Sequence, residues 1–302
     1  MSSIPSHKGV EYLLLVVLAL LWGSSYLFLK IAVETIPPVT LIASRVTIAA
    51  FLLSIIVVWK KQAFPRDART LLRLLLQSFL NSIGAWTVLA WGQQYVGSSL
   101  SSVLNSTSPL FVFFITYFYT RHEATGLIKL AGASLGVLGV VLIVGTDALQ
   151  GLGQQLIAQL AVLSGAMMYA GAAIYGKNFS HLHPTVTAAA TMIWATVFLI
   201  PLSIAIDQPW TLQPSAKSIW AALALGVLCT GFALLIYFRL LRTLGSMGTA
   251  SQSYLRAGVG VMLGIVVLGE HITPVMAIGI GAAILGVVLI NLPARRKSTA
   301  SV

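Results

Sequence analysis

The side chains of this chain that can do chemistry are few, and they sit among apolar ones. Positions 98 to 109 read SSLSSVLNSTSP, a run of hydroxyls holding one amide, Asn105, and closing on Pro109. At helical spacing Ser98, Ser101, Ser102, Asn105, Ser108 and Pro109 share one face. Further on, Gln252 lies near the start of another apolar run and Arg256 lies at its centre. Such groups can hydrogen-bond a solute or receive a carboxylate. They do not form a nucleophile with its base, because no histidine, Asp or Glu falls in the middle of an apolar segment, and catalysis would need those residues gathered at one depth. Binding and passage are therefore expected, and an enzyme, a cofactor or a metal site is not. Cys229 is the only cysteine, which excludes an intramolecular disulfide.

The elements that must carry these residues are membrane helices. Of 302 residues 58% are hydrophobic and 8% charged, against the roughly 25% charged residues of a soluble domain, and mean hydropathy is +0.93. Ten apolar stretches have the length of about 20 residues that a helix needs to cross a bilayer: 12–30, 38–59, 71–94, 98–120, 126–145, 154–176, 185–206, 216–238, 246–268 and 273–292. The first lacks a small-residue cleavage site and is expected to be a retained helix. The formal net charge of +11 is an orientation signal and not the mark of a nucleic-acid binder. With the N-terminus inside, fourteen Lys and Arg fall on the inner side and only Lys30 and Lys217 outside, as the positive-inside rule requires. Both termini are expected to be cytoplasmic. Arg45 and Arg256 fall within spans; Arg45, nearer the outer end of the second, is expected to snorkel.

Shifting the sequence by 147 residues without a gap brings Lys30 onto Lys177, Pro37 onto Pro184, Gly84 onto Gly231, Glu123 onto Glu270, Gly132 onto Gly279 and Gly139 onto Gly286. An internal repeat of five spans, 1–147 and 148–302, follows. An odd number of spans turns the second copy upside down. The fold class expected is thus all-α integral membrane, with ten transmembrane helices in two inverted five-helix repeats, an arrangement typical of secondary transporters.

LLWGSSYLFLK in the first helix, SPLFVFF in the fourth, and RHEATGLIKLAGASLGVLGVVLI with LGEHITPVMAIGIGAAILGVVLI closing the two halves resemble the EamA-type exporters of the drug/metabolite transporter superfamily. Within it the chain looks closest to bacterial exporters of aromatic amino acids. The resemblance covers nearly the whole chain and implies export through an inner membrane. The family usually has a proline in both repeats where this chain has Pro109 and then Arg256, so it implies no matching bend in the ninth helix.

The candidate cavity residues are Trp22, Tyr26, Asn81, Trp86, Ser101, Ser102, Asn105, Pro109, Tyr169, Thr249, Gln252, Tyr254 and Arg256. Two readings compete for the hydroxyls, helix packing or solute contact. Two compete for Arg256, a structural clamp held by backbone carbonyls or a receiver for a carboxylate. The rings suit an amphiphilic solute. Gly132 and Gly136, with Gly279 and Ala283, read as close-packing faces of the fifth and tenth helices, which could also form a homodimer. GASLG at 132–136 and GAAIYGKN at 171–178 approach hydrolase and phosphate-loop motifs but lie in membrane helices, the wrong context. With every Glu at a span end or in a turn, facilitated diffusion is expected; a proton-coupled drug or metabolite antiporter and a channel-like pore are the alternatives.

Overall fold

The computed structural model describes residues 8–120, 127–149, 153–243 and 252–291, and all the regular structure in them is helical. In chain order the helices are α1 (Lys8–Ala32), α2 (Pro38–Trp59), α3 (Ala68–Ser78), α4 (Gly84–Tyr95), α5 (Ser98–Asn105), α6 (Ser108–Ile115), α7 (Leu127–Leu149), α8 (Gly153–Tyr175), α9 (Pro184–Ile206), α10 (Ala216–Gly226), α11 (Ala233–Thr243), α12 (Gln252–Leu268) and α13 (Pro274–Asn291). Wide π-turns over Phe79–Ile83 and Val227–Phe232 join α3 to α4 and α10 to α11.

Among the described residues seven helical stretches are long and apolar enough to cross a membrane: Gly9–Ala32, Pro38–Trp59, Ala68–Tyr95, Ser98–Phe118, Gln155–Tyr175, Pro184–Ile206 and Ala216–Tyr237. Ile128–Ile143, Leu255–Leu268 and Pro274–Leu289 are shorter apolar helices. Large apolar side chains cover the outside, with Phe51 68%, Val266 74% and Ile278 65% exposed, a surface that suits hydrocarbon and not water.

Local chemistry sets the breaks. Pro38 opens α2, where its missing N–H costs nothing. Asp67 caps α3 by accepting from the Thr70 amide at 2.8 Å, and the hydrogen bonds from Thr70 hold its carboxyl below the usual carboxylate range. Pro109 cannot donate to the Asn105 carbonyl four residues back. The Ser108 hydroxyl takes that carbonyl instead, at 2.9 Å, across the turn between α5 and α6. In the second π-turn the Thr230 hydroxyl donates to the Leu225 carbonyl at 2.8 Å. α12 runs unbroken past Arg256, as expected where arginine replaces proline.

The bundle has two ends. At one, Glu11 of α1 pairs with Arg239 at 2.8 Å and accepts from Thr243 at the end of α11. At the other, Lys30 of α1 reaches the end of α4. α8, the equivalent of α1 under the 147 shift, begins at the Lys30 end, where Gln155 and Gln159 line a pocket with Tyr95 and Glu270. α1 and α8 thus run in opposite directions through the bundle.

Between the halves α2 packs on α9 through Leu41, Val46 and Leu53 on one side and small Ala189 and Ala195 beside Met192 and Leu199 on the other. α7 and α13 lie against each other through their glycines. A Cβ at Gly139 would stand 2.4 Å from the Ala283 amide nitrogen, and one at Gly286 would stand 2.5 Å from that of Gly136. The glycine faces are thus engaged inside one chain. Gly139→Val is expected to destabilise the protein by about 1–3 kcal/mol, the usual range for overpacking, in detergent thermal melts. Gly281→Ala, at a position with open space around it, is the control and should melt near the native temperature.

Candidate functional site

The polar groups of both repeats converge on Tyr26, Arg45, Trp86, Asn105, Tyr169 and Thr230. Asn105, on the last turn of α5, donates through Nδ2 to the Tyr26 hydroxyl at 2.7 Å; both residues are buried. Trp86 of α4 donates through Nε1 to the Tyr169 hydroxyl of α8. The Arg45 guanidinium of α2 lies 4.0 Å from the centre of the Trp86 ring, a cation–π contact of about 0.5–2 kcal/mol, and its Nε donates to Thr230 Oγ1 at 2.8 Å. Cys229, beside Thr230, shares a hydrogen bond with Ser24 of α1 at 3.8 Å. The chain of contacts thus crosses five helices and one π-turn.

Arg45 does not snorkel. It is 6% exposed, because a π-turn on one side offers an acceptor and an indole face on the other offers a surface for the cation. The sequence reading had left it out of the cavity set. Its depth was misjudged because the acceptor and the ring come from other helices. The available signal was the one used for Arg256: a permanent cation in an apolar run with no acid beside it.

Most of the hydroxyls bond carbonyls of their own helix. Ser102 donates to the Ser99 carbonyl at 2.8 Å, Ser106 to Ser102 at 2.7 Å and Thr107 to Leu104 at 2.6 Å. Ser102 also lies against α12, 3.4 Å from the Ala257 carbonyl. Ser101 is different: it is fully buried and its Oγ has no partner, nor has the Asn105 Oδ1. Arg256 is half-buried with an unpartnered Nε, and its carbonyl backs onto Gly23 of α1. No backbone carbonyl holds its guanidinium among the described residues, so the clamp reading of Arg256 finds no contact here. Gln252 opens α12 and is buried.

Other candidates are not brought into this group by any contact. Trp22 packs on Tyr237 with ring centres 5.3 Å apart, towards the Glu11 end. Asn81 lies in the first π-turn and donates to its neighbour Ser82 at 3.2 Å. Pro109 shapes the break after Asn105. Thr249 lies outside the described residues, as does the side chain of Tyr254.

A second constellation sits at the Lys30 end. Lys30 Nζ donates to the carbonyls of Gln93 at 2.7 Å and Val96 at 3.1 Å, at the negative end of α4. Glu270 accepts from the Ser98 amide at 2.5 Å and the Ser99 amide at 2.9 Å, at the positive end of α5. Gly97 lets the carboxylate in, since a Cβ there would lie 3.0 Å from it. Beside this junction is a cavity of ≈ 220 Å³ lined by Tyr95, Gln155, Gln159, Glu270, His271 and Met276 among others. Lys30 and Glu270 had both appeared in the repeat alignment, but nothing in their spacing joined them to one junction.

An all-helical bundle with a repeated half, an apolar outside and a polar cluster made jointly by both halves is the build of a polytopic membrane protein. The chain belongs to the EamA-like transporter family, whose model matches residues 9–145 and again 156–292; the two matches are displaced by the same 147 residues as the internal repeat. It is similar to the uncharacterized transporter YoaV of Bacillus subtilis, 26% identical over 84% of this chain and 87% of that one. It is similar also to an uncharacterized transporter of Archaeoglobus fulgidus, 30% identical over 81% and 84%, and to the uncharacterized inner membrane transporter YedA of Escherichia coli K12, 24% identical over 91% and 88%. A solved crystal structure superposes with a TM-score of 0.65 at 17% identity, over 95% of this chain and 99% of the other, which supports the fold alone.

Proposed function

We propose that the protein is a ten-helix secondary transporter of the bacterial inner membrane, with both termini cytoplasmic, that exports small amphiphilic metabolites, foremost aromatic amino acids. The seven long and three shorter apolar helices make up the ten crossings. The inner-membrane placement draws on the name of the Escherichia coli relative, the orientation on the distribution of Lys and Arg.

One observation carries the reading. Tyr26 and Trp86 belong to one buried cluster with Tyr169 packed against it, and Asn105, bonded to Tyr26, keeps its Oδ1 unpartnered, as Ser101 of the same helix does its Oγ. Rings for the side chain and unsatisfied polar groups for the backbone moiety are what an aromatic amino acid asks of a site. The described acids are all engaged elsewhere: Glu11 with Arg239, Glu34 near Lys217, Asp67 with Thr70, Asp207 with Thr40, and Glu270 with Ser98 and Ser99. None stands in the cluster to load and unload a proton, which favours facilitated diffusion over proton coupling.

The test is flux through proteoliposomes across a panel of amino acids, with and without a pH gradient. Aromatic amino acids should move fastest, with saturation and counterflow. Equal rates for aromatic and small polar amino acids would remove the substrate assignment, strong acceleration by a proton gradient would replace diffusion by antiport, and non-saturable flux would indicate a channel.

A further inference from the structure

The turn from α2 into α3, at the Glu11 end of the bundle, carries charges that neither the fold nor the solute cluster uses. We propose that it is a binding surface for an anionic phospholipid of the leaflet it faces. Lys60, Lys61, Arg66, Arg69 and Arg73 hold the headgroup phosphate, and the acyl chains lie on the apolar side chains beside them.

Five cations and a single acid, Asp67, fall within positions 60–73. All five cations are exposed, and none of their side chains makes an ion pair or a hydrogen bond among the described residues; Asp67 is committed to the Thr70 amide. Arg66 stands just before α3 and Arg69 in its first turn, at the positive end of the helix dipole, where a cation is unfavourable and an anion is stabilised. Arg73 follows one turn on. α3 turns Leu74 and Ser78 inward and leaves Leu72, 64% exposed, Leu76 and Phe79 on the outside, with Trp59 79% exposed at the end of α2. Cations at the rim of an apolar wall match a phosphate above its acyl chains. Guanidinium groups grip phosphate through paired bonds, and basic clusters where a helix leaves the membrane draw anionic lipid.

The second half supplies an internal comparison. Shifted by 147, the five positions become Asp207, Gln208, Gln213, Ala216 and Trp220, none of them basic. The backbone is nevertheless alike. Lys61 and Gln208 are equivalent and both hold the left-handed conformation, with φ of 52° and 47°, and each turn leads into a helix capped by a side chain, Asp67 for α3 and Ser215 for α10. The turn therefore forms without the cations. They are an addition to one half, on one face of the membrane, and their net positive charge is complementary to an anionic headgroup and not to a zwitterionic one.

The full chain, purified in detergent and incubated with an equal mixture of phosphatidylglycerol and phosphatidylethanolamine, is read by native mass spectrometry for the lipid it retains. The native chain should retain phosphatidylglycerol about tenfold over phosphatidylethanolamine, and the combined Arg66→Gln, Arg69→Gln, Arg73→Gln variant should bring the ratio to within about twofold of one. Should that variant not fold, Lys60→Gln with Lys61→Gln is read in the same way. Combined Arg295→Gln, Arg296→Gln, Lys297→Gln removes as much charge elsewhere in the chain and should leave the preference as it was. No preference in the native chain, or an unchanged ratio in the folded variants of the turn, would overturn the proposal. So would an equal loss from the C-terminal variant, which would reduce the effect to overall charge. Excess glycerol 1-phosphate, which offers the phosphate without chains, should not displace the lipid; full displacement would overturn the assignment to lipid.

Discussion

Glu270→Ala is expected to lower flux in proteoliposomes by about a hundredfold and to depress the melting temperature in detergent. The carboxylate satisfies two amides at the start of α5 with charge-assisted bonds, each worth about 1.5–3 kcal/mol. It does so at the positive end of the helix dipole. Losing about 3 kcal/mol at the α4–α5 junction shifts its equilibrium by about two powers of ten. Glu270→Gln should fare nearly as badly, because its NH₂ must face one of the two amide donors. Lys30→Met in the Glu270→Ala background should cost less than in the native chain, since both residues hold the same junction. Native flux and an unchanged melt for Glu270→Ala would dismiss this role for the α4–α5 junction.

Trp86→Ala carries the second large effect. The indole supports the Arg45 guanidinium and donates to Tyr169, so its removal strips a buried cation of its surface while opening a cavity. Large-to-small changes of this kind cost about 3–5 kcal/mol, and the uncovered charge adds to the loss. Trp86→Phe keeps the face for Arg45 but deletes the N–H; it should retain most of the stability and lose selectivity among solutes. If Trp86→Ala melts within about 2 °C of the native chain, Arg45 is not held as described.

Much of the bundle was legible in the sequence because the bilayer imposes a length. Seven of the expected stretches form helices long and apolar enough to cross a membrane among the described residues, and the polar dozen at 98–109 forms α5 and the break before α6. Within the described residues three of those stretches form apolar helices shorter than the rest. The site was legible in part. Asn105 stands out as an amide that hydrocarbon cannot satisfy, and Tyr26, Trp86 and Tyr169 as rings deep in their spans; Asn105 reaches Tyr26, and Trp86 reaches Tyr169. Arg45 was missed because its neighbours, Thr230 and Trp86, lie 185 and 41 residues away, and no local pattern reports such a contact. Trp22 has the same spacing credentials as Tyr26, but a helix face is broad enough to turn one ring towards Asn105 and the other towards Tyr237. The junction of Lys30 and Glu270 escaped notice because lysine and glutamate at helix ends are ordinary.

Two of the π-turns answer each other between the halves. Each is a local widening of the helix, of the kind made by one extra residue. They sit at overlapping positions once the second copy is shifted by 147 residues, Phe79–Ile83 beside Val227–Phe232, and Gly84 and Gly231 fall in register there without a gap. A third π-turn, Thr116–Thr120, has no such counterpart, because its positions shifted by 147 fall inside the regular helix Gln252–Leu268. The widening that the two halves share is therefore confined to one span of each, and there the second half uses it to seat the Thr230 hydroxyl on the Leu225 carbonyl while Thr230 receives Arg45.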